Sequence, residues 1–349
     1  MVFKFHAIAG ALFIGFVAQH VHAQEAVVRL GHVAPTSGGI AHLGKDNENG
    51  ARLAVEELNA KGITIGGKKI KFELLAEDDA ADPKQGTAAA QKLVDSKVVG
   101  VIGHLNSGTS IPASKIYSDA GIPQISPSAT NPRFTRQAVV DDRTAYGQGV
   151  ADEFEKGVKS AGGTVVGREF TNDKATDFTA ILTSLKAKKP DVVFFGGMDA
   201  VAGPMLRQMK QLGINAKFMG GDGICTGELP KLAAGSMGDS QVVCAEAGGV
   251  EGEAKKSMED FGKKFKAKFN TDVQLYAPYV YDAVNVMVAA MQKANSTEPA
   301  KFLPVLAATE GYKGVTGTIA FDQKGDIKNG ALTLYTYKAG KRDQLAVVR

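Results

Sequence analysis

Cysteine is scarce in this chain: Cys225 and Cys244 are the two that its 349 residues contain. Their spacing suits no zinc site. In an oxidising compartment the pair could close a disulfide loop of about 20 residues, worth roughly 3 kcal/mol in the chain-entropy model. Two separate buried thiols are the other reading. Histidine supplies no metal set either. Of the six, His6, His20 and His22 fall in the first 23 residues, while His32, His42 and His104 stand apart, as structural histidines do. Beyond residue 23 there is no Walker A sequence, no GxGxxG after a strand, no GxSxG and no HExxH. Gly220–Gly223 is glycine-rich, but without the phosphate-loop spacing or its lysine it reads as a turn. Catalysis has no positive support, and no cofactor or metal is expected. A basic stripe is missing too: the net charge is +4, the lysines of residues 255–268 alternate with acids, and no nucleic-acid site is indicated.

Long apolar runs are absent beyond the amino terminus. There, Lys4 precedes an apolar stretch over residues 7–18, and Val21-His22-Ala23 offers small residues of the kind a signal peptidase reads. The run is too short to span a bilayer, so residues 1–23 are expected to be a cleaved signal peptide. The mature protein would start near Gln24 and work outside the cytoplasm, most simply in a periplasm.

What remains alternates strand and helix, the pattern of an α/β protein with parallel sheets. Strands are expected at residues 26–33, 69–76, 98–103, 122–125, 138–140, 164–170, 191–196, 217–220, 241–245, 317–321, 331–338 and 345–348. The main helices are expected at 45–61, 82–96, 147–163, 177–188, 199–212, 257–269, 276–293 and 299–308. Asp82-Pro83 is a strong helix start. The length allows two domains.

Two turns stand out for chemistry. Ser107, Thr109 and Ser110 follow the buried run at 98–103, with Ser107 where the N-cap of the next helix should lie. Ser126, Ser128 and Thr130 follow the next strand. Neighbouring parallel strands would bring these hydroxyls to the carboxyl edge of one sheet, where open α/β sheets bind ligands. Hydroxyls and N–H groups at a helix start suit a carboxylate. An ammonium needs acceptors, for which Thr130, a carbonyl near Ser128 and Asp222 are candidates. Helix and turn capping explains the same serines and threonines without a ligand.

The run VIGHLNSGTSIPASKIYSDAGIPQISPSATNP (101–132) resembles the branched-chain amino-acid binding proteins of bacterial ABC importers. So do Asp82-Pro83-Lys84-Gln85, the DDRTAYGQG stretch at 141–149 and FMGGDG at 218–223. The resemblance covers nearly all of residues 24–338 and implies a type I periplasmic binding fold, two α/β lobes closing on a ligand. The implied lobes are residues 24–137 with 250–330, and 138–249 with 331–349. By the same resemblance Ser107, Ser128 and Thr130 match residues that hold the amino acid's carboxylate and ammonium. Tyr146 matches an aromatic of the second wall, and Asp222 an acid facing the ammonium. Met198 and Leu43 stand at cleft-lining positions, both apolar and so suited to an aliphatic ligand. The implied partners are a small amino acid and a membrane ABC permease, with the protein a monomer.

One departure is visible. Relatives continue past the TNP turn with about one βα unit, roughly 30 residues, that this chain lacks after Gln137. The five residues 134–138 span at most about 17 Å. An exposed apolar patch on the second lobe should result. The leading expectation is therefore a solute-binding protein for a branched-chain or similar aliphatic amino acid. The alternatives are a ligand-sensing module for a receptor, and a defective paralogue that cannot close because of the gap near Arg136 and Ala138.

Overall fold

Short apolar runs alternate with amphipathic ones, so the parallel strands find their partners through helical crossovers, and hairpins join only the antiparallel pairs. The computed structural model describes residues 26–129, 142–160, 165, 167–188, 190, 192–249 and 251–348. The expected signal segment, Thr130, the expected strand at 138–140 and the link after Gln137 lie outside them.

The first half runs β1 (Ala26–Ala34), α1 (Ala41–Lys61), β2 (Thr64–Ile65), β3 (Lys68–Asp78), α2 (Pro83–Asp95), β4 (Gly100–Gly103), α3 (Ser107–Asp119) and β5 (Gln124–Ile125). Its sheet has the order β2-β3-β1-β4-β5. All pairings are parallel except the short β2–β3 hairpin. Asp82 caps α2 by accepting from the N–H groups of Lys84 and Gln85, with Pro83 in the first turn. Helix α1 starts at Ala41, not at Lys45 as expected. Glycine at 44 lets this extra turn press on Pro35, whose carbonyl oxygen would lie 2.0 Å from an added Cβ.

The chain continues with α4 (Ala145–Ser160), α5 (Thr179–Ala187), β6 (Val192–Phe195), α6 (Asp199–Gln211), β7 (Lys217–Gly220), a 3-10 turn (Asp222–Ile224), α7 (Leu229–Leu232) and β8 (Val242–Ala247). Then come α8 (Gly252–Phe269), α9 (Ala277–Lys293), α10 (Pro299–Ala307), a small hairpin of β9 (Tyr312–Gly314) and β10 (Gly317–Ile319), and finally β11 (Leu332–Lys338) and β12 (Lys341–Val348). The second sheet has the order β12-β11-β8-β7-β6. Its β6, β7 and β8 are parallel, and the two last strands are antiparallel.

Two cores follow. Helices α8, α9 and α10 return to the first sheet, where Phe265, Val284, Met287, Met291 and Phe302 pack with Leu30, Phe72 and Leu53. Gly100 makes that return possible, since a Cβ there would sit 2.2 Å from Met287 Sδ. The second core gathers Phe178, Leu182, Leu206, Phe218 and Val242 with Tyr337 of β11. Among the described residues no helix is long and apolar enough to cross a membrane.

The expected strand at 164–170 is corrected. Its described residues, 165 and 167–170, run irregularly, and side chains hold the stretch at 168–169. Arg168 pairs with Asp152 at 2.6 Å and Glu155 at 2.7 Å, and Ser184 donates to Glu169. Strand β6 has β7 on one side and no described strand on the other. Beside it a hollow of about 430 Å³ opens between α4, α5 and the segment at 165–171. Val192 and Phe170 are exposed at 39% and 43%, with the Arg143 guanidinium over the Phe170 ring.

Candidate functional site

The carboxyl ends of β4 and β5 lie side by side, with Val101 opposite Gln124 and Ile102 opposite Ile125. The two hydroxyl turns that follow are bonded to each other. Ser126 Oγ donates to the carbonyl of His104 at 2.7 Å, and Ser128 Oγ to that of Leu105 at 2.8 Å. Ser110 Oγ also donates to the His104 carbonyl. Ser107 is fully buried and opens α3 as its first helical residue. The N-cap is Asn106, a one-residue correction, and Asn106 makes no side-chain cap bond. The carbonyl of Asn106 instead accepts from Thr109 Oγ1, so the turn closes through the backbone.

Behind these turns lies a buried polar triad. His104 Nδ1 is 2.9 Å from Asp79 Oδ2 and its Nε2 is 3.1 Å from the Tyr117 hydroxyl. Every polar atom of this imidazole is thereby used, and it takes no part in a serine relay.

The second lobe presents Asp222 at the carboxyl end of β7. Its Oδ1 accepts from the Tyr146 hydroxyl and its Oδ2 from the Tyr276 hydroxyl, both at 2.8 Å. The Tyr146 oxygen in turn accepts from the Gly223 N–H at 2.8 Å. Burial pushes the Asp222 carboxyl above the usual carboxylate range, against the lowering effect of both tyrosines. A buried carboxylate is costly, and two tyrosine hydroxyls hold this one by hydrogen bonds. Gly223 packs so tightly that a Cβ would lie 2.8 Å from Met198 Sδ and 3.0 Å from the Tyr146 ring.

The apolar part of the site spans both lobes. Ala34, Ile40, Leu43, Leu105, Leu275 and Tyr276 form one buried cluster, with Met198 and Ala200 packed against it. Leu105 is the residue whose carbonyl Ser128 holds, so the hydroxyl turns border this cluster. Leu43, Met198, Tyr146 and Asp222 are thus brought into one neighbourhood with Ser107 and Ser128 at its edge.

Residues not singled out from the sequence complete the site. Asp46 accepts from four consecutive N–H groups, those of Gln274, Leu275, Tyr276 and Ala277, at 2.8–3.1 Å. It caps α9 from a distance and so aims Tyr276 at Asp222. One turn on, the Tyr279 hydroxyl is 3.3 Å from Glu246 Oε1, and Arg342 Nη1 is 3.0 Å from Glu246 Oε2. Burial raises Glu246 to about 7; Arg342 opposes this, and Asp222 adds to it. The tyrosines of LYAPY, three residues apart at a helix start, were the available signal, but nothing local announces what they reach. Cys225 and Cys244 are bridged, which ties the turn carrying Asp222 to β8.

Comparison with known proteins places this geometry. A family model described as "Periplasmic binding protein" matches residues 27–138 and 129–342. The Leu/Ile/Val-binding protein homolog 1 of Brucella abortus (strain 2308) is 33% identical over 345 residues, covering 90% of this chain and 91% of its own length. A leucine-, isoleucine-, valine-, threonine-, and alanine-binding protein of Pseudomonas aeruginosa is 31% identical, with 93% and 92% covered. Among solved structures, a branched-chain amino acid transporter substrate-binding protein of Streptococcus pneumoniae, in complex with isoleucine, superposes with a TM-score of 0.80 at 26% identity. That match covers 93% of this chain and 99% of the other. With the sheet orders and the cross-cleft contacts above, these matches show that the chain belongs to the periplasmic binding protein family.

Proposed function

We propose that this protein captures a branched-chain or similar aliphatic amino acid by closure of its two lobes and delivers it to an ABC permease, working as a monomer in the periplasm. Its chemistry is binding, without catalysis. Ser107, Ser128 and Thr130 take the carboxylate and part of the ammonium, and Asp222 takes the remaining charge. Tyr146 forms the polar wall, and Leu43 and Met198 face the aliphatic side chain.

The observation that carries this reading is the buried Asp222 carboxylate, held between Tyr146 of one lobe and Tyr276 of the other. It bears on an apolar cluster bordered by hydroxyls, which is the chemistry of a hydrophobic zwitterion's surroundings. A few bonds to charged groups at roughly 1.5–3 kcal/mol each, with side-chain burial, reach the about 8 kcal/mol of micromolar affinity. Calorimetry with the common amino acids tests it. Leucine, isoleucine or valine should bind, and Ser107→Ala with Thr130→Ala should abolish binding. Retained affinity in the double variant sinks the site assignment, and no binding by any aliphatic amino acid sinks the function.

A further inference from the structure

His42 and Asp199 meet across the cleft. His42 stands in the first turn of α1, and Asp199 is the first residue of α6. Their Nε2 and Oδ2 are 2.9 Å apart. Asp199 is fully buried, while the His42 side chain keeps 24% exposure. Thr226 Oγ1 donates to the same Oδ2 at 2.6 Å, and Oδ1 has no protein partner. The helix starts here approach closely enough that a Cβ on Gly39 would lie 3.6 Å from that of Ala200. The sequence neighbours of the pair are Leu43 and Met198, which share the buried cluster joining the lobes.

A buried carboxylate needs a counter-charge, and among the described residues the ion-pair partner of Asp199 is His42. We infer that His42 and Asp199 are a cross-cleft positioning pair, which holds Leu43 against Met198 in the closed form and tightens closure when His42 is protonated. This rests on the proposed reading that the lobes close on an amino acid. The groups facing the imidazole are Asp199 from α6, Glu228 ahead of α7 and Asp46 from its own helix. Burial pulls the His42 pKa down, and the hydrogen bond and charge of Asp199, with Glu228 and Asp46 adding, more than reverse it. The first turn of α1 opposes a positive charge, and the charge-assisted bond to Asp199 works against that opposition. Opening the cleft removes Asp199 and with it the reason for the raised pKa. Protonation therefore favours the closed form below the open-state pKa, and the advantage fades as pH rises through the closed-state one.

His42→Gln keeps a donor without a titrating charge, at a position that retains 24% exposure. Leucine affinity, measured by calorimetry from pH 5.5 to 8.5, should tighten toward low pH in the wild type. At pH 5.5 the variant should bind roughly three- to tenfold more weakly, and the two should converge at pH 8.5. Glu246 also titrates in this range, but equally in both proteins, so the difference isolates His42. A variant that follows the wild-type pH profile overturns the pair. Imidazole titration by NMR is the second measurement. In protein locked closed by a disulfide between Gly39→Cys and Ala200→Cys, whose Cβ positions lie 3.6 Å apart, the His42 midpoint should lie above 6.5 and fall in Asp199→Asn; a midpoint at or below 6.5 there overturns the inference whether or not leucine binds. Leucine failing to bind at every pH, with that midpoint raised, rejects the proposed ligand and leaves the pair standing.

Discussion

Tyr276, at the start of α9 in the first lobe, donates a 2.8 Å hydrogen bond to Asp222 at the end of β7 in the second. The bond crosses the cleft, and the two residues are 54 apart in sequence. It joins a helix start fixed by Asp46 to a turn fixed by a disulfide, so both ends are pre-positioned. That costs folding free energy once rather than at each binding event.

Replacing Asp222 with asparagine keeps the shape and removes the charge. Leucine affinity should fall by roughly 10- to 100-fold, the loss of one bond to a charged group. The melting temperature should hold or rise, because a buried carboxylate has gone. Calorimetry and thermal denaturation read the two effects separately, and unchanged affinity would remove Asp222 from the site.

The double substitution Cys225→Ser with Cys244→Ser should lower stability by roughly 3 kcal/mol, a fall in melting temperature of roughly 6–12 °C. Reductant should shift the wild type in the same direction and leave the variant unaffected. If both proteins melt together with and without reductant, the bridge contributes nothing.

Glu246 gives a pH dependence with a definite sign. Its carboxyl is raised from 4.5 to about 7 in the fold, so the folded state binds the proton more tightly than the unfolded one. Its contribution is intact below 4.5 and is lost as pH rises through about 7, amounting to about 3 kcal/mol at most. Glu246→Gln does not titrate. The melting temperature of this variant relative to wild type should therefore increase from pH 4.5 to pH 8; a flat or falling difference contradicts the assignment.

Gly223→Ala probes the packing beside the carboxylate. The new Cβ would sit 2.7 Å from the backbone oxygen of Gly197 and 2.8 Å from Met198 Sδ. The thioether can move, but the carbonyl cannot without shifting the chain. Overpacking of this kind costs about 1–3 kcal/mol, and leucine binding should weaken with it. A variant with wild-type melting and affinity would show that the turn is looser than its geometry.

Much of the architecture is legible along the chain because strand and helix leave local signals. The run at 98–103 is apolar throughout because β4 is buried on both faces. Asp82-Pro83 marks the start of α2 because the cap and the fixed φ act within one turn. The described residues of the strand expected at 164–170, 165 and 167–170, form no ladder, and Arg168 there finds Asp152 and Glu155 instead. The brief pieces β2 and β9 are too short to carry a period.

By itself the sequence determined the hydroxyl turns after β4 and β5, because parallel neighbours must end at one sheet edge, and it marked Tyr146, Met198, Leu43 and Asp222 as candidates through family resemblance. Tertiary structure alone decided which groups meet: Tyr276 with Asp222, Tyr279 with Glu246, His42 with Asp199, and Cys225 with Cys244. Three of these pairings join lobes, and the fourth joins a turn to a strand. Such contacts depend on how rigid units dock, and docking is set by the summed packing of many residues, which no local pattern encodes.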